Sequence, residues 1–86
     1  MMYEVRITPV ALKQLVRLPK AARSRIDAHL LALADDPRPH GAKKLVGSDD
    51  LYRIRVGDYR VLYYVRDAVL LVLIVKVGQR GGFYKK

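Results

Sequence analysis

The chain has 86 residues, 51% of them hydrophobic, with 17 Lys and Arg against 8 Asp and Glu for a formal charge of +9. That length makes one domain over residues 1–86, and that hydrophobic content excludes an intrinsically disordered chain, because enough apolar surface is available to offset the entropy of ordering. With no cysteine, disulfides and thiolate metal sites are excluded, while the excess of cations on so small a body points to a polyanionic partner, nucleic acid or an acidic protein.

Met1-Met2-Tyr3-Glu4 begins no signal peptide, and the longest apolar run, Ala68 to Val75, is strand-sized rather than membrane-sized. A cytoplasmic protein with no membrane partner is expected. Tyr3 to Thr8 alternates, with Tyr3, Val5 and Ile7 on one side and Glu4 and Arg6 on the other, and reads as a first strand. Thr8-Pro9 is a helix start, since threonine suits the N-cap and proline the first helical position. Leu12, Leu15 and Val16 give a short amphipathic stripe, and Leu18-Pro19 ends it, because a residue before proline is pushed out of the helical region. A second helix is predicted from about Lys20 to Ala34, with Ala22, Ile26, Leu30 and Leu33 on one face; Asp35-Asp36-Pro37-Arg38-Pro39 stops it. The short break makes the pair an αα-hairpin.

His29 falls on the second helix, far along the chain from the arginines described next, and His40 in a Pro-Gly loop; both read as surface or helix-flank residues. Lys43-Lys44-Leu45-Val46 reads as a short strand or an extended arm whose lysines can touch phosphate. The centre of the chain is Leu51 to Val65, LYRIRVGDYRVLYYV. Apolar and polar residues alternate on both sides of Gly57-Asp58, the signature of a β-hairpin with a two-residue loop, and glycine at the first loop position suits a type II′ turn. That register pairs Val56 with Tyr59, Arg55 with Arg60, Ile54 with Val61 and Arg53 with Leu62. Tyr52, Ile54, Val56, Tyr59, Val61 and Tyr63 then share a core face, and Arg53, Arg55 and Arg60 share the other with Leu62 and Tyr64. Like charges opposite one another destabilise a sheet. Three guanidiniums gathered on one face imply an anion that compensates them.

Beyond the hairpin, Val69 to Val77 (VLLVLIVKV) is almost unbroken apolar sequence, the mark of a strand covered on both faces. It leads to Gly78-Gln79-Arg80-Gly81-Gly82-Phe83-Tyr84, where glycines permit close approach of backbone to a ligand. The expected fold is α+β: a small four-stranded, mostly antiparallel sheet with an N-terminal helical hairpin packed on one face, in the order β-α-α-β-β-β.

This order of elements, with YRIRVGDYRVLY in the middle and VGQRGGFY at the end, resembles the RelE/ParE superfamily of bacterial and archaeal toxins over essentially the whole chain, and the RelE branch in particular. The resemblance implies a toxin of a type II toxin–antitoxin system, a ribosome-dependent endoribonuclease acting on translated mRNA. It carries the family's basic residues onto Arg53 and Arg55, its next-strand arginine onto Arg60, its arginine after the last strand onto Arg80 and its C-terminal tyrosine onto Tyr84. Arginines stand at 53 and 55 where well-known members have lysines, and the Arg80–Tyr84 interval is shorter than in some members. The resemblance also implies a cognate antitoxin, acidic over its toxin-binding segment, through which alone the protein would reach DNA.

Metal-free RNA cleavage drives a ribose 2′-OH into the adjacent phosphate, so no cofactor or metal is called for. Guanidiniums match phosphate oxygens bidentately and suit stabilisation of a phosphorane. They suit proton transfer poorly, with a pKa above about 12. No Glu or His is placed near the cluster, which leaves tyrosine as general base: Tyr84 first, Tyr64 second. Nearby cations favour the phenolate. Lys43, Lys44, Tyr64 and Gln79 are the expected further RNA contacts. A gyrase poison of the same fold and a non-catalytic RNA-binding domain are the alternatives.

Overall fold

A computed structural model describes residues 2–79. Strand β1 (Glu4–Ile7) is followed by helices α1 (Pro9–Val16) and α2 (Lys20–Ala32), the two-residue strand β2 (Lys43–Lys44), the hairpin β3 (Leu51–Val56) and β4 (Tyr59–Arg66), and β5 (Leu71–Gln79). They build one sheet of order β1-β5-β4-β3-β2, in which β1 runs parallel to β5 and every other neighbour is antiparallel. The class is the α+β expected, but the sheet has five strands rather than four. The extra one is β2, whose lysines pair with Arg53 and Tyr52; two residues are too few to show a period.

The local signals decide the elements where they are strong. Thr8 caps α1, its Oγ1 accepting from the Ala11 amide at 3.2 Å, and Pro9 opens the helix. The break at Leu18-Pro19 separates α1 from α2 as expected. Between β3 and β4, Gly57 has φ +60° while Asp58 keeps an ordinary negative value, the pattern of a type II′ turn. The guanidinium of Arg25 on α2 lies against this turn, 3.0 Å from where a side chain on Gly57 would begin. All four predicted hairpin pairs are present.

One face of the sheet takes the helices. Ala11 and Leu15 of α1 and Ile26 and Leu30 of α2, with Leu33 beyond it, bury against Ile54, Val56, Val61, Tyr63, Val65, Val72, Ile74 and Val77. Each large side chain so buried contributes about 1.5–3 kcal/mol of transfer free energy. Gln14 adds a polar tie, its Oε1 accepting from the Val77 amide at 2.8 Å.

β5 begins two residues later than its apolar run suggests. Asp67–Val69 form a single 3-10 turn and Leu70 takes a left-handed conformation at φ 51°, so the strand starts at Leu71. Within it the register slips: Leu62 faces Lys76 but Tyr63 faces Ile74, leaving Val75 as the extra residue of a β-bulge. Because strand side chains alternate, this one-residue slip decides which face each residue meets. Ile74 and Val77 both turn to the core, and Lys76 is delivered to the opposite face.

Candidate nucleic-acid interface

The face away from the helices carries the cations in two rows. One runs Lys43–Arg53–Leu62–Lys76 across β2, β3, β4 and β5, and the next runs Arg55–Arg60–Gly78 across β3, β4 and β5. Side chains directly opposite each other have Cβ atoms about 4.5–5.5 Å apart, so these groups form one patch. No Asp or Glu occupies a position in either row. Arg55 is exposed, Arg60 and Lys76 are half-buried, and Arg53 is only 6% exposed with its Nε lacking a hydrogen-bond partner. Lys76 was not singled out in the sequence. Its one signal was a lone cation late in an apolar run, and only the bulge puts it beside the arginines.

An ion pair lies at the other end of this face. Arg66 pairs with Asp50 at 2.7 Å and lies over the Tyr64 ring, 5.2 Å from its centroid. Tyr64 shares the arginine face, opposite Leu51 and Leu73. The register turns two expected RNA contacts elsewhere: Lys44 pairs with Tyr52 and Gln79 with Tyr59, and both tyrosines belong to the helix-side face. Arg80 and Tyr84 lie outside the described residues.

The expectation that no histidine falls near the cluster is corrected by the tertiary structure. A cavity of about 600 Å³ opens between α2, the Pro39–Gly41 loop and β3, and His29, His40, Lys43, Arg53 and Arg55 all line it. Both rings are exposed, as surface residues should be. The chain nevertheless folds α2 and the loop back onto β3, closing a sequence gap that concealed the meeting. Among the described residues no cluster of three or more His, Asp or Glu side chains is placed to hold a metal ion.

The loop that carries His40 is held from behind. Arg38 clamps Asp67 with bonds of 2.8 and 3.2 Å, donates from Nε to the Tyr52 hydroxyl at 3.0 Å and stacks over that ring. Tyr3 also donates to Asp67, at 2.5 Å, and the buried Tyr63 donates to the Pro37 carbonyl at 2.9 Å. The Arg38 bond, with the Tyr3 bond behind it, holds the Asp67 carboxyl below its ordinary value. The same carboxylate pushes the Tyr3 phenol up. Burial pushes Tyr63 up, with Tyr52 adding to it.

Residues 5–82 match the family described as the ParE toxin of the type II toxin–antitoxin system parDE. The chain belongs to that toxin family. Within its RelE/ParE superfamily the toxin lies on the RelE-type branch. It is 34% identical to a putative toxin RelE1 of Methanocaldococcus jannaschii, over 99% of this chain and 98% of the relative. It is 33% identical to the mRNA interferase toxin RelE of Escherichia coli K12, over 81% of this chain and 75% of that one. Among solved structures it resembles the toxin in an archaeal RelE–RelB complex from Pyrococcus horikoshii, with 38% identity and a TM-score of 0.84 over 94% of this chain and 98% of that one. Among the described residues no helix is long and apolar enough to cross a membrane.

Proposed function

We propose that the toxin is a cytoplasmic, ribosome-dependent endoribonuclease that cuts translated mRNA, with a cognate acidic antitoxin as its protein partner. The observation that carries this reading is the pair of adjacent cationic rows on one sheet face, in which no described position is an Asp or Glu. The E. coli relative's designation as an mRNA interferase and the antitoxin-bound archaeal relative support the same assignment.

In the proposed reaction the 2′ oxygen attacks the adjacent phosphorus and the bond from phosphorus to the 5′ oxygen breaks. The products are a 2′,3′-cyclic phosphate and a 5′-OH. Arg53, Arg55, Arg60 and Arg80 meet the phosphorane oxygens, where planar guanidinium donors act on charge that grows in the transition state. Tyr84, as phenolate, takes the 2′ proton, and solvent or the ribosome returns one to the 5′ oxygen. Lys43 and Lys76 extend the phosphate-binding row, and Tyr64 offers a ring for a base. Lys44 and Gln79 have no part in this reading, because the register turns them to the helix side. A site whose phosphate-facing rows hold guanidinium and ammonium groups depends on orientation, which a codon held on the ribosome supplies.

The test is to map 5′ ends on translated mRNA after brief induction of the parent and of Arg60→Ala. The parent should produce new 5′-OH ends within coding regions. Loss of a guanidinium that meets developing charge should remove about 2–4 kcal/mol of transition-state stabilisation, so the ends should nearly vanish in the variant. A second reading is favoured by the family description itself, which names parDE toxins. DNA damage and gyrase inhibition with no new mRNA ends would establish that gyrase-poison reading instead.

A further inference from the structure

The cavity between α2 and β3 has a composition that neither the arginine rows nor packing explains. Its apolar wall is Leu33 and Ile54, both buried in the core, and its rim is His29, His40, Lys43 and Arg53. Among the described residues no carboxylate lines it. Arg53 is nine-tenths buried and its Nε is unpaired, a group that calls for an acceptor. His29 adds an acceptor of its own. Its Nδ1 lies 2.9 Å from the Arg25 carbonyl oxygen, which can only accept, so Nδ1 carries the hydrogen and the neutral ring keeps Nε2 as an acceptor. Imidazole faces and apolar side chains stack bases, and cations meet phosphates. A volume of about 600 Å³ falls within the range of small-ligand sites.

We propose that this cavity is a nucleotide subsite: it seats one base of the RNA strand between the histidines and the apolar wall while the attached phosphate meets Lys43 and Arg53. The proposal rests on the RNA reading given above and deepens it. Arg53 and Arg55 border both the cavity and the cationic rows, so a nucleotide seated here lies next to the scissile phosphate. The subsite would therefore select which base flanks the cut. The His29 acceptor can take a hydrogen from a donor on the edge of the seated base.

Binding is read apart from cleavage by titrating isotope-labelled, full-length toxin with the nucleoside 5′-monophosphates and with ribose 5-phosphate, following amide and imidazole resonances by NMR. The monophosphates should shift His29, His40 and Gly41, with ribose 5-phosphate weaker than any of them. Base stacking is worth about 1–3 kcal/mol per base on alanine substitution, so His29→Ala and His40→Ala should each weaken binding by about five- to 150-fold. In mapped mRNA ends the same variants should lose base preference at one position beside the cut.

Ribose 5-phosphate binding as well as the monophosphates would overturn base recognition. Shifts confined to the arginine rows, or an unchanged cut-site preference in both histidine variants, would overturn the subsite while leaving the nuclease reading intact. Cavity resonances that ignore nucleotides but respond to a glutamate-rich peptide would make it a protein-docking site and overturn the proposal. Nucleotides seated in the cavity of a toxin that cuts no mRNA would support the subsite and overturn the nuclease reading alone.

Discussion

Arg53→Met separates what the sheet wants from what the reaction wants. Arg53 is 6% exposed, its Nε has no partner, and it stands directly opposite Lys43. A buried polar group left unsatisfied costs about 1–3 kcal/mol, and opposed like charges add to that. Methionine keeps the length of the side chain, removes both penalties and fills the same space, as apolar replacements of buried ions often do. The free toxin should therefore gain about 1–3 kcal/mol, and its melting temperature should rise by about 4–8 °C per kcal/mol in a domain of this size. Cleavage should move the other way. Losing a guanidinium that meets phosphorane charge removes about 2–4 kcal/mol, or about thirty- to a thousandfold in single-turnover rate. The assay is thermal unfolding by circular dichroism beside single-turnover cleavage on programmed ribosomes. A variant that melts below the parent yet cuts at the parental rate would refute both halves: Arg53 would be a structural residue with its charge satisfied.

Tyr84→Phe removes only a hydroxyl, so ribosome binding should persist while single-turnover cleavage slows by about two to four orders of magnitude; cutting at the parental rate would move the proton to Tyr64 or a ribosomal group. Asp67→Asn should expose the clamp on the His40 loop. Arg38 lowers the folded pKa of Asp67, so its stabilisation is fully present above the ordinary carboxylate value of about 3.9 and is lost as pH falls through the lower folded value. The melting-temperature gap between parent and variant should be widest near neutral pH and close below about pH 4, and a gap unchanged in strong acid would contradict that ionic origin. Gly57→Ala should destabilise by about 1–2 kcal/mol in urea unfolding, because φ +60° strains an L-residue. Gly57→Asn should cost less, since asparagine tolerates that region.

Much of this fold is local and was legible as such. The alternation around Gly57-Asp58 specified the hairpin register, because a slip of one residue would put Arg53, Arg55 and Arg60 into the core. Thr8-Pro9 and Leu18-Pro19 bounded α1 through φ constraints that act within two residues. The grouping of the three arginines on one face followed from period-2 geometry alone. Contacts between distant segments leave no such trace. β2 exists only because the β3 edge offers Lys43 and Lys44 partners, and β1 lies parallel to β5 because two helices return the chain to that edge. The bulge at Val75 decides that Lys76 joins the cations, although nothing in VLLVLIVKV marks the slip. Arg38, Asp67 and Tyr3 meet across 29 and 64 residues of chain. His29 and His40 reach Arg53 and Arg55 only when α2 and its loop pack against β3. The burial of Arg53 likewise belongs to the tertiary structure, because periodicity assigns a residue to a face and packing alone determines how much water that face keeps.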